Sequence, residues 1–236
     1  MTLKEKYADE MILFVKVAHR LASNGFVTSF GGNMAWKLED GVIAITPTQT
    51  YKGDMTPEDV VLINPAGDTI EGTRRPTGEK PMYLRFFQDR PDVTSVIHCH
   101  PPCLCAAAVM KDPSFLMRPF YPETTTEVGP VPMVPYGQPL TTELADNFAP
   151  FLKKYNSFVM ENHGLVTMTR GDIYWTLLTV ELLEASVDSM LKAISAGTLK
   201  EMTREAVRDL SIVMATRDLP LFGVPGANES LEGMYF

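Results

Sequence analysis

The segment TSVIHCHPPCLC, residues 94–105, holds two of the chain's four histidines and all three of its cysteines. On an extended strand, residues i and i+2 face the same side, so His98 and His100 project together from backbones roughly 6–7 Å apart. Two imidazoles so placed can converge on one ion, with zinc–nitrogen bonds of about 2.0–2.1 Å. Cys99 faces the other side and cannot join them. The third ligand is expected from His163 in ENHG, at the end of the apolar strand SFVM and beside a glycine that permits a tight turn. Three histidines with an open position are the pattern of a catalytic rather than a structural zinc. Cys103 and Cys105 form a rival pair, but they follow two prolines on a helix, where i and i+2 diverge. They read as small core residues. His19, on the first helix, has no partner in the sequence and reads as an ordinary helix histidine.

These side chains need a frame. KEKYADEMILFVKVAHRLASNG has helical periodicity, with Gly25 as its C′ residue. MAWKL and VIAIT, separated by EDG, predict a hairpin, and VVLI and DTIEG repeat the pattern around NPAGD. A helix is predicted from about Glu79 to Asp89, with Pro81 in its first turn. TSVIHCH is a strand, and PPCLCAAAVM a helix. VGPVPMVPYG is an edge strand or loop, because proline cannot complete a ladder. TTELADNFAPFLKKY predicts a helix capped by Thr141 or Thr142. SFVM and the strand after ENHG form a pair. Two helices follow, the first stopped by Gly197, and the tail from about residue 217 is expected to be irregular. Strands that come as hairpin pairs favour a mixed α/β fold, with a mainly antiparallel sheet covered by helices on both faces, in one domain over residues 1–236.

The composition narrows the function. A net charge of −8 argues against a general nucleic-acid surface. No apolar run is long enough to cross a bilayer, and the N-terminus has no leader-like pattern. Three clustered cysteines do not make a disulfide framework, which fits a reducing, cytoplasmic setting.

GGN at 31–33, ITPTQ at 45–49, PTGEKPMYLRFFQDRPDVTSVIHCHPP at 76–102 and ENHG at 161–164 together resemble the class II aldolase/adducin family, and within it the L-fuculose-1-phosphate aldolases. The resemblance implies a homotetramer with the site at a subunit interface. It also implies one divalent ion per subunit, Zn2+ with Mn2+ or Co2+ as alternatives, held by His98, His100 and His163. Glu79 stands where the aldolases carry their acid/base, a residue that also touches the metal in an empty site. The epimerases of the family carry aspartate there. The phosphate of a sugar substrate would be held by Gly32, Asn33, Thr48, Gln49, Thr77 and Gly78. Gln49 departs from a glycine of the family pattern, and Thr77–Gly78 from a pair of serines. Tyr121 matches a tyrosine that serves the aldehyde oxygen, and Tyr235 is a candidate for reaching a neighbouring subunit's site.

The expected reaction is cleavage of a short ketose 1-phosphate to a dihydroxyacetone-phosphate-like ketone and an aldehyde. A related sugar-acid decarboxylation or a 4-epimerisation are the alternatives. A non-enzymatic adducin-head-like module would be expected to lack the histidine triad.

Overall fold

The computed structural model describes residues 1–236. Its strands are β1 (Asn33–Lys37), β2 (Ile43–Ile45), β3 (Val61–Ile63), β4 (Thr69–Glu71), β5 (Ser95–Cys99), β6 (Met133–Val134), β7 (Ser157–Met160) and β8 (Gly164–Thr169). They form one sheet in the order β4-β3-β2-β1-β5-β8-β7-β6. Every neighbouring pair is antiparallel except β6–β7, which is parallel and puts the short, proline-flanked β6 at an edge.

The inner strands are apolar on both faces, and their side chains alternate between two cores as the pleat requires. Met34, Ala44, Leu62, Ile97, Cys99 and Leu165 enter one core, with residues of α2 (Ala8–Ser23), α4 (Pro102–Ala108) and α8 (Ile173–Ala196). Ala35, Ile43, Val61, Val96, Phe158 and Val166 enter the other, with α3 (Lys80–Asp89), α6 (Thr142–Asn147) and α7 (Ala149–Leu152). The second face is the one His98 shares with Val96.

Several boundaries follow the sequence signals. Gly25, at φ 72°, follows the end of α2. Asp40 and Gly41 make the β1–β2 turn with positive φ, and Gly197 ends α8. Asp172 caps α8 through its side chain.

Other boundaries differ from expectation. The first helix is divided at Tyr7 into α1 (Leu3–Lys6) and α2, where the tyrosine is buried and donates to the Glu39 carbonyl. The helix predicted after Thr141 is divided at Phe148, with Pro150 in the first turn of α7, where its missing N–H costs nothing. A short helix, α5 (Pro122–Glu127), was not expected in the sequence. The tail is not wholly irregular. It contributes α10 (Leu231–Tyr235), capped by Ser230, which packs with α9 (Arg204–Thr216) around Val207, Met214, Phe222 and Leu231.

Arg90, just after α3, is fully buried, yet its guanidinium is satisfied. It donates to Asp92, to the Leu152 and Tyr155 carbonyls and to Asn156. It thereby ties the approach to β5 to the approach to β7. No helix is long and apolar enough to cross a membrane.

Candidate metal centre

His98 lies near the end of β5, opposite Asn33 on β1 and Val166 on β8. Its Nδ1 is 2.9 Å from the Leu165 carbonyl oxygen. A carbonyl only accepts, so Nδ1 carries the proton and Nε2 keeps its lone pair for the centre. His100 is one residue past the strand, where its N–H leaves the ladder for the Phe26 carbonyl. His163 sits at the tip of the β7–β8 turn.

Gly164 serves this arrangement in a way the sequence did not indicate. The left-handed residue of the turn is Asn162, at φ 55°. A Cβ on Gly164 would lie 2.7 Å from His100 Cδ2 and 2.7 Å from the Cys99 oxygen, so the glycine makes room for His100.

The three rings have centroids 4.7, 4.8 and 5.6 Å apart. One nitrogen from each falls within 4.8 Å of the others, a spacing at which they can hold a single ion. The donor set fits a metal on a further ground. His163 Nδ1 is the one buried side-chain polar atom in the chain without a hydrogen-bond partner. Such an orphan calls for an explanation, and a ligand or ion supplies one.

Glu79 precedes α3 at its N-cap but does not cap it. Its carboxylate instead turns inward, 3.6 Å from His98 Nε2 and 3.9 Å from His163 Nε2. Asn33 Nδ2 donates to it at 2.7 Å, and the Tyr83 hydroxyl fixes that amide from behind, 2.6 Å from Asn33 Oδ1. Burial pushes the Tyr83 hydroxyl well above its ordinary pKa, so it remains a donor throughout the physiological range.

Burial first, and then the charge of His163, lower His98 to about 3. Burial and the other two histidines lower His100 to about 3, and burial lowers His163. Neutral imidazoles are what a metal requires. The same shifts set an acid sensitivity. The unfolded chain protonates these histidines below about pH 6.5, whereas the native chain resists, so native stability falls as pH drops from there toward about 3. For the chelator-stripped protein, His98 alone is expected to remove about 1.4 kcal/mol per pH unit in that window. Denaturant unfolding at pH 7.5 and 5.5 measures this, and His98→Phe should make the difference smaller, with His100 and His163 supplying the remainder. An equal slope in wild type and variant would contradict it.

A cavity of about 230 Å3 opens on the three histidines and Glu79. Gly32, Asn33, Thr48, Gln49, Thr77 and Gly78 all line it, so every substrate-binding candidate from the sequence converges there. The loops carrying them are joined by backbone bonds from Thr48 to Arg75 and from Thr77 to Thr46. Gln49 adopts φ 52°, the left-handed conformation that a glycine takes without strain.

Lys52 also lines the cavity and was missed in the sequence. It is 2% exposed, and burial lowers its ammonium to about 8. Tyr121 and Tyr235 do not line this cavity in their own chain. Tyr121 is 36% exposed, on the surface ahead of α5. Tyr235 packs on the α9–α10 core with its hydroxyl against Thr125, and burial raises its pKa. The cysteines are free and outside the triad, and His19 bonds the Met55 carbonyl.

The pattern of the family described as Class II Aldolase and Adducin N-terminal domain matches residues 13–190. The chain belongs to the class II aldolase/adducin family. As a class II aldolase-type enzyme it is a lyase, and the mostly antiparallel, helix-covered sheet is the fold the resemblance implied. It is 29% identical over 199 residues to a 3-oxo-tetronate 4-phosphate decarboxylase of Pectobacterium atrosepticum, covering 84% of this chain and 90% of that one. It is 32% identical over 176 residues to an L-fuculose phosphate aldolase of Methanococcus maripaludis, covering 74% of this chain and 92% of that one. Among solved structures, YgbL from Klebsiella pneumoniae superposes with a TM-score of 0.78 at 27% identity, over 89% of this chain and 99% of that one. Class II aldolases are metal-dependent, and the histidine triad is where this member can hold its ion.

Proposed function

We propose that this class II aldolase family member cleaves a carbon–carbon bond in a short phosphorylated sugar, releasing a dihydroxyacetone-phosphate-like ketone and an aldehyde. The observation that carries this reading is one carboxylate, Glu79, facing the same cavity as three neutral histidines. His98, His100 and His163 would hold a divalent ion, Zn2+ by donor preference, with Mn2+ or Co2+ as substitutes. A divalent ion bound there supplies Lewis-acid stabilisation of negative charge developing on substrate oxygen.

The chain's own groups do the rest. Bond cleavage leaves an enediolate, and Glu79 delivers the proton that turns it into the ketone. Asn33, held by Tyr83, fixes the carboxylate for that transfer. Asn33, Thr48, Thr77 and the backbone at Gly32 and Gly78 orient the phosphate, with Gln49 adding an amide at the mouth. Aldol cleavage also needs a group to take the proton of the hydroxyl that becomes the aldehyde. In a homotetramer with the site between subunits, Tyr121 of a neighbour meets that need, and Tyr235 remains a second candidate despite its packing against Thr125. The three free cysteines accord with a cytoplasmic location.

Decarboxylation of a phosphorylated 3-oxo sugar acid is the second reading. It leaves the same enediolate but releases carbon dioxide, so it needs no proton acceptor on the departing side. The cavity of one chain contains no tyrosine, and the Pectobacterium relative carries a decarboxylase name. Incubating the metal-loaded protein with ketose 1-phosphates and with 3-oxo-acid phosphates separates the readings. Ketone phosphate with aldehyde is expected from the first set, and ketone phosphate with carbon dioxide marks the second reading. No ketone phosphate from either set would overturn both.

A further inference from the structure

Lys52 is a buried cation, and the only charge that favours its ammonium is the Glu79 carboxylate, in the same cavity but beyond ion-pair distance. Its Nζ donates to the Phe30 carbonyl at 3.0 Å and to the Thr50 carbonyl at 3.1 Å, and it takes part in no ion pair. An ammonium has three donors, so one N–H remains for the cavity that Lys52 lines. The carboxylate of that cavity is engaged elsewhere, by Asn33 and toward the histidines. Burying an unpaired charge costs several kcal/mol, and a neutral amide could join the same two carbonyls without that cost. Glu79 offsets that cost only from a distance, so the ammonium is placed to hold a second anion that enters the cavity.

The hydroxyls of Thr48 and Thr77 line the same cavity and offer further donors. Two hydroxyls, a buried ammonium and nearby backbone N–H groups make a set that suits a compact, doubly charged oxyanion. We propose that Lys52 is the fixed cation of this cavity and selects a phosphate-type dianion over a carboxylate or an uncharged hydroxymethyl group at that end of the substrate. The proposal rests on reading the cavity as a sugar-phosphate lyase site.

The test uses the full chain stripped of metal, so that no ion can hold the probe. Inorganic phosphate binding is measured by calorimetry and by thermal shift, beside sulfate, acetate and glycerol. Phosphate and sulfate are expected to raise the melting temperature of the wild type, and acetate and glycerol at equal concentration are not. Lys52→Met should weaken phosphate binding about 10- to 100-fold, the range for a hydrogen bond to a charged group. Lys52→Gln keeps donors for the two carbonyls but no charge. It should lose phosphate as Lys52→Met does, whereas a purely structural clamp would retain it. Wild-type phosphate affinity in Lys52→Gln, or equal stabilisation of the wild type by acetate and phosphate, overturns the proposal. The anion series on the wild type decides the matter even if both variants fail to fold. Phosphate binding through Lys52 without any carbon–carbon cleavage would sink the lyase reading and leave this proposal standing. Cleavage without phosphate binding would do the reverse.

Discussion

Replacing Glu79 by glutamine is expected to lower turnover about 100- to 10,000-fold, the usual contribution of a positioned acid/base. The fold and metal content should survive. Glutamine has nearly the same shape, and its carbonyl oxygen can still accept the hydrogen bond that Asn33 Nδ2 gives the carboxylate. What it cannot do is move a proton at the carbon beside the substrate carbonyl. The variant should therefore also lose exchange of that carbon's hydrogen with deuterated solvent when incubated with ketone product alone. Exchange isolates proton transfer from bond cleavage, so it remains informative whichever group departs. A variant with near-wild-type turnover and exchange would remove Glu79 from the mechanism. Asn33→Ala provides the graded comparison, since it leaves the carboxylate in place without its hydrogen-bond partner.

Replacing any one of His98, His100 or His163 by alanine is expected to strip the metal and abolish activity. Elemental analysis of dialysed protein measures the first effect and product formation the second. Of the three, His163→Ala is the sharpest test. His163 comes from a distant turn, and replacing it also removes the chain's one orphaned buried polar atom. Cys103→Ala and Cys105→Ala should keep their metal. The cysteines lie outside the triad, and Cys103 is turned toward Asp188 instead. Loss of metal in a cysteine variant together with its retention in His163→Ala would reverse the assignment.

The histidine pair was legible in the sequence because strand periodicity alone puts residues 98 and 100 on one face. His163 was legible because its setting repeats theirs, a β-strand end followed by a turn. Glu79 was found by its position ahead of the pair, although nothing local revealed that its carboxylate would turn away from its own helix. Lys52 was invisible for a general reason. A lysine in a polar loop is ordinarily solvated, and its burial here depends on carbonyls from two loops, at Phe30 and Thr50, that meet only in the folded chain. Nothing local marks Tyr83 as part of the site, since its bond to Asn33 spans 50 residues of sequence. In the sequence Gly164 signals backbone freedom, but its value lies in the missing Cβ. The helix α10 is masked in the sequence because proline and glycine, its usual stop signals, are dense just before Ser230.

The central position of β5 ties metal supply to the amount of folded protein. The strand carrying His98 finds its partners only when distant segments have met. The bond from His98 to the Leu165 carbonyl joins residues 67 apart, and β1 pairs on its other side. Loop closures of that length must precede the contacts that compensate them, so the triad exists only once these distant segments have met. An ion gripped by all three histidines thus binds the finished sheet and not the unfolded chain. At a free concentration about 1,000 times its Kd, such an ion adds roughly 4 kcal/mol to the folded state, a large share of a typical domain's stability. A cell short of the metal would then hold less of this enzyme, because the unfilled chain opens more often and is cleared by proteolysis.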